Sequence, residues 1–226
     1  MFSNISIGQL CGFLFLFILL TSALSQALAG GGLDPTDVPG TMGKVSANSE
    51  KFRLSVVIDL ISHASIFALA GLLFIAFSPY GRALALIGTL WRVVEGTILV
   101  LNETNNILLL AVVQKFVSAT GEEAGALESL GSTIILAEDW GMKIAMAFLA
   151  LGALLYAILF VTSGTVQLAL GWFGVIAALL AVVGRWLVLV SPAAPMVLQA
   201  SFLPYILFEL VFGFWLLIWV GQIGQL

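Results

Sequence analysis

Apolar runs long enough to cross a bilayer recur along the chain, at about 7–28, 54–77, 83–113, 135–160, 167–190 and 202–220. A bilayer core takes about 20 helical residues, so this pattern predicts an all-α polytopic membrane protein. The expected architecture is a single domain over 1–226, a bundle of about six transmembrane helices. Between the first two runs lies the polar stretch 30–50, with Gly30-Gly31-Gly32, Asp34-Pro35-Thr36-Asp37 and Pro39-Gly40. These are turn formers without an apolar period, and they predict a loop outside the membrane. Ser78-Pro79-Tyr80-Gly81 and Thr162-Ser163-Gly164-Thr165 predict tight turns, and Ser191-Pro192-Ala193-Ala194-Pro195 predicts a break. Thr120 and Glu123 match a capping box, so the fourth helix is expected to start before its embedded part. Ala27-Leu28-Ala29 before the three glycines also fits the end of a signal peptide, but the charged leading region is missing. The first run is therefore read as a retained span.

The third run breaks the apolar pattern most sharply. Within Trp91–Asn106 it places Arg92, Glu95, Asn102, Glu103 and Asn106. At about 100° per residue these side chains and Leu99 share an arc of about 100°. A charge at the centre of a spanning helix costs roughly 2.5–3.5 kcal/mol on insertion scales, so such residues need partners and mark functional sites. The second run carries Ser55, Asp59, Ser62 and His63 on one face, with Asp59 and His63 one turn apart. The fourth brings Glu138, Asp139 and Lys143, the last two spaced i,i+4 in the acid-first order. The fifth ends near Arg185, and the sixth holds Pro204, Tyr205 and Glu209. Followed for depth, these charges are expected to converge on one half of the bilayer. The candidate ligand- or proton-binding residues are Asp59, His63, Arg92, Glu95, Asn102, Glu103, Glu138, Asp139, Arg185 and Glu209. The acids outnumber the bases, and that surplus suits proton exchange or a cationic ligand. A purely structural salt-bridge network would use the same residue types.

Composition narrows the function classes. The 226 residues are 61% hydrophobic and 9% charged, with a mean hydropathy of +1.16. The net charge of −4 and the absence of a basic cluster disfavour a nucleic-acid partner. The lone Cys11 excludes an intrachain disulfide, and with one histidine, His63, no metal site is expected. His63 alone reads as a hydrogen-bonded packing residue. Ser62, His63 and Asp59 lie on one helix, where a hydrolase relay is hard to assemble, so no catalytic residue and no cofactor is assigned. Tyr80, Tyr156, Tyr205 and the six tryptophans fall mostly near span ends, as an aromatic belt does. Asn102-Glu103-Thr104 fits the glycosylation pattern but is embedded. Gly171, Gly174, Ala178 and Ala181 allow close helix approach in the fifth span.

Phe52-Arg53-Leu54-Ser55-Val56-Val57-Ile58-Asp59-Leu60, Trp91-Arg92-Val93-Val94-Glu95 with Asn102 behind it, and Leu203-Pro204 with Phe208-Glu209-Leu210 resemble motifs of the bacterial domain-of-unknown-function family 4386. The resemblance covers roughly Ile7 to Gly221. It implies a six-span inner-membrane protein without an assigned activity, with Asp59, Arg92, Glu95, Asn102 and Glu209 as its embedded polar positions. The chain departs from that pattern where family members carry a histidine early in the fourth span, since Glu138-Asp139-Trp140-Gly141 stands there. It also lacks a basic residue in Val161–Gln167. Basic N-termini in the family imply cytoplasmic termini, both on one side. Lys44, Lys51, Arg53 and Lys115, against Arg82 alone, favour the opposite sign. Cytoplasmic termini are the expectation adopted.

The leading expectation is a membrane module whose polar pocket binds or moves a small cationic or proton-coupled ligand. One alternative is an assembly subunit, its small-residue faces meeting a membrane-protein partner or a second copy. Another is an intramembrane enzyme acting on a lipid, with Glu138 or Asp139 as acid/base. The lipid bilayer is the one partner common to all three.

Overall fold

The computed structural model describes residues 6–191 and 200–218. Its elements are α1 (Ile7–Ala29), α2 (Val38–Ala47), α3 (Ser49–Phe116), α4 (Glu122–Thr162), α5 (Leu168–Val190) and α6 (Leu203–Ile218). Among the described residues there is no strand, and the protein is an all-α membrane bundle. Helices α1, α3, α4 and α5 are long and apolar enough to cross a membrane. Helix α6 is 16 residues long in its described part, and the sixth span expected to reach 220 ends outside the described residues. So does the break expected at 192–195.

Helix α3 is two helices in one. Its backbone leaves the helical region at Gly81 (φ 178°, ψ 76°), two residues after Pro79. A Cβ at Gly96 would stand 3.0 Å from the Phe67 ring, although twenty-nine residues of straight helix span about 43 Å. The chain therefore reverses at Gly81, which divides α3 into two arms, residues 49–80 and 82–116. Each arm is longer than a bilayer core requires. Gly81 sits close to α4, because a Cβ there would meet Leu159 Cδ2 at 2.8 Å.

The polar stretch 30–50 is not the open loop its glycines and prolines predict. It contains α2. Asp37 caps that helix, accepting from the Gly40 N–H at 3.0 Å, and Pro39 occupies the first turn, where its missing N–H costs nothing. Met42 and Val45 are buried, and Met42 Sδ lies where a Cβ on Gly131 of α4 would come within 2.6 Å. The helix is held by docking, a force that turn statistics do not contain. Helix α4 likewise begins at Glu122 behind Gly121, whose φ of 62° takes the chain into the helix. Its start lies one residue beyond the Thr120 cap expected from the sequence.

Two compact units make up the chain. One comprises the described residues of Met1–Leu19, Ser65–Gly96 and Lys143–Leu226, and the other comprises Leu20–Ala64 and Thr97–Met142. The first has a core of aromatic and small side chains, including Phe15, Phe160, Phe208 and Phe212 with Ala150, Ala157 and Ala178. Within it the small stripe of α5 is consumed by the chain itself. Gly174 faces the Phe208 ring and Gly171 faces Val161, at distances a Cβ would not tolerate. Gly12 of α1 and Gly213 of α6 bring those helices equally close. The second unit is centred on Met42, Phe52, Leu109 and Ile135.

Candidate functional site

The polar face expected on the second arm of α3 is buried: Arg92, Glu95, Leu99, Asn102 and Glu103 are all below a tenth exposed, and Asn106 is half-buried. The two units divide it. Arg92 and Glu95 belong to the first with Arg185 and Glu209, while Asn102 and Glu103 belong to the second with Asp59, His63, Glu138 and Asp139.

In the first unit, Arg92 (4% exposed) and Glu95 (1% exposed) form an ion pair with Nη1 and Oε2 3.0 Å apart. The pair is close but poorly aligned, so Arg92 Nε and Nη1 and Glu95 Oε2 make no hydrogen bond among the described residues. Gly152 of α4 makes room for the guanidinium's stem, because a Cβ there would lie 3.1 Å from Arg92 Cγ. Gly88 does the same for the Tyr156 ring. Across from them the Tyr205 hydroxyl donates to the Glu209 carboxylate one turn along α6, and Glu209 lies within electrostatic reach of Arg92. Tyr156 donates to the Ala85 carbonyl at 3.2 Å and shares a hydrogen bond with Thr89.

A cavity of about 10 Å³ opens beside Arg92. Phe15 of α1, Leu73 of α3, Ala153 and Phe160 of α4 and Phe208 of α6 form its apolar walls, and Tyr156 and Tyr205 bring the hydroxyl-bearing rings. A space of roughly 10–15 Å³ on this measure holds one water. The two tyrosines correct the sequence reading: Tyr156 and Tyr205 are 2% and 4% exposed and line this site, whereas Tyr80 is exposed as a belt residue is. The i,i+4 spacing of Tyr205 and Glu209 was the available signal. Arg185 stands apart from the carboxylates. Its guanidinium carbon sits 4.4 Å over the Phe202 ring, a cation–π contact.

In the second unit, His63 Nδ1 stands 3.9 Å from Glu103 Oε1, and Asn106 donates to Glu103 Oε2 at 2.9 Å. Ser25 of α1 donates to Asp59, and the Ser22 and Ser62 hydroxyls are 3.2 Å apart. These two α1 serines lie inside an apolar run and carried no sequence signal of their own. Asn102 donates to the Glu138 carbonyl at 3.0 Å. It can do so because Gly141, one turn on, has no side chain to occupy the Asn102 amide's place. That burial also removes Asn102 as a glycosylation acceptor. Glu138 and Asp139 are half-buried. No group of three metal-ligating side chains converges among the described residues. An open groove of about 330 Å³ lies between Val38 and the start of α4 at Gly125–Ser132, and no nominated residue lines it.

No curated protein and no solved structure matches the chain. A family model described as a domain of unknown function, DUF4386, matches residues 10–219. Covering nearly the whole length, including every buried polar residue described above, that match places the chain in the DUF4386 family.

Proposed function

We propose that this chain is a proton-binding transport module of the bacterial inner membrane, with Arg92, Glu95 and Glu209 as its proton-holding cluster. The observation that carries the reading is a buried guanidinium ion-paired to Glu95 at 3.0 Å, with Glu209 within electrostatic reach and a cavity the size of one water beside Arg92. One cation against two carboxylates leaves one negative charge to balance, and a proton is the only cation that fits the space. Small cations coupled to that proton remain the wider substrate class.

The geometry argues against a purely structural network. The direct contacts, Arg92–Glu95 and Tyr205–Glu209, each lie within one helix, and across helices Arg92 and Glu209 are only within electrostatic reach. Leaving charged nitrogens without acceptors is costly, about 1–3 kcal/mol per group or more. An assembly role is likewise weakened, because the small faces of α5 are filled by Phe208 and Val161.

The reading takes both termini as cytoplasmic, supported by the family's basic N-termini and opposed by the lysines near α2, and a reporter fused after Leu226 tests that orientation. The activity itself is tested in proteoliposomes loaded with a pH-sensitive dye, with proton flux driven by an imposed potential. Flux above that of protein-free vesicles is expected, falling to their level in Glu209→Gln. No flux above empty vesicles, or undiminished flux in Glu209→Gln, would overturn the reading.

A further inference from the structure

His63 is the single histidine of the chain. It is 6% exposed, and its Nδ1 has no hydrogen-bond partner among the described residues. That nitrogen faces Glu103 Oε1 at 3.9 Å, about 1 Å beyond a hydrogen bond. The other Glu103 oxygen is taken by Asn106. The carboxylate is thus anchored through one oxygen and aims the other at an unengaged imidazole nitrogen.

The surroundings bear on what ligand this pair takes. Asp59 lies on the same arm of α3 and is bonded by Ser25, and Glu138 of α4 also lies within electrostatic reach of Glu103. Helix α1 contributes the hydroxyls of Ser22 and Ser25. Carboxyl groups therefore lie around Glu103, which itself stands beside the imidazole, and they do not converge into a metal-ligand set among the described residues. The ligand class that suits an unpaired nitrogen opposite a single oxygen is a proton.

We infer that His63 and Glu103 form a proton-relay dyad, in which a proton on Glu103 Oε1 passes to His63 Nδ1 and a proton leaves from Nε2. In the loaded state the Oε1–H bond donates to Nδ1, and His63 is the Nε2–H tautomer. Transfer breaks Oε1–H and forms Nδ1–H, giving an imidazolium beside a carboxylate. Loss of the Nε2 proton to water then leaves the Nδ1–H tautomer donating to Glu103. One proton has entered at the carboxyl and one has left at the far side of the ring. The dyad lies within the second unit and stands independently of the Arg92 cluster.

The test uses the full chain in lipid nanodiscs with ¹⁵N-labelled histidine, where one residue gives one pair of ring signals across a pH titration. In the unaltered protein the tautomer is expected to change from Nε2–H to Nδ1–H as pH rises, and Glu103→Gln is expected to abolish the change. Asn106→Ala, which frees Oε2 and leaves both partners in place, is expected to keep the change and move its midpoint. A single tautomer at every pH would overturn the relay. So would a change that persists in Glu103→Gln, or a midpoint unmoved by Asn106→Ala.

Discussion

Arg92 shows how one side chain constrains many others. Its stem needs Gly152, its charge needs Glu95, and the residue lines a one-water cavity. Removing one member of a buried pair strands the other charge, a loss of about 3–5 kcal/mol, whereas replacing both by apolar residues is often neutral. Arg92→Met is therefore expected to destabilise the protein by about that amount, and Arg92→Met with Glu95→Met to recover most of it. Thermal or denaturant unfolding in detergent measures both. Equal destabilisation in the single and double variants would refute the pairing. At this scale the sequence was readable where helical periodicity spoke. Arg92, Glu95, Asn102 and Glu103 fall on one face, and the structure buries that face. Tyr156 was not readable, because an aromatic near a helix end looks the same whether it meets lipid or a cavity, and for Tyr205 the one signal was its i,i+4 spacing from Glu209.

Among the elements, α2 carries the clearest lesson. Its Asp37 cap and first-turn Pro39 were present in the sequence, but three glycines and neighbouring turn formers outweighed them. What decides the matter is Met42, fully buried against Gly131, a long-range contact that no local pattern reveals. Met42→Ala is expected to cost about 2–5 kcal/mol and Asp37→Ala about 1 kcal/mol. Hydrogen exchange of the α2 amides would register both, and exchange unchanged in Met42→Ala would show that docking does not hold the helix. The turn before α2 has its own pH signature. Hydrogen bonds from the Thr36 hydroxyl and N–H hold the Asp34 carboxyl below the usual carboxylate range. A depressed folded value stabilises the turn above the unfolded value, and that contribution is lost as pH falls through the folded one. Exchange at the Thr36 amide is expected to lose protection on acidification, beyond the intrinsic change in exchange rate, and Asp34→Ala, which removes the acceptor, to lose it already at neutral pH. The reversal at Gly81 was legible from Ser78-Pro79-Tyr80-Gly81, since proline interrupts the helix ladder and glycine accepts the non-helical dihedrals.

At the scale of the whole molecule, an all-α membrane chain was plain from its apolar runs. The way its polar residues group was not, because grouping depends on which helices pack together. The structure sorts the ten nominated residues into two units. In the first, Arg92, Glu95 and Glu209 meet, and Arg185 rests on Phe202 instead of a carboxylate. In the second, Glu103 has Asp59, His63 and Glu138 around it. The central claim is that the Arg92 cluster holds one exchangeable proton. The most direct measurement is the infrared carbonyl band of protonated carboxyl groups in purified protein at neutral pH, compared in H₂O and D₂O. The expected result is a band that shifts in D₂O and loses intensity in Glu95→Gln or Glu209→Gln. A carbonyl region in which neither variant changes a deuterium-sensitive band would contradict the claim.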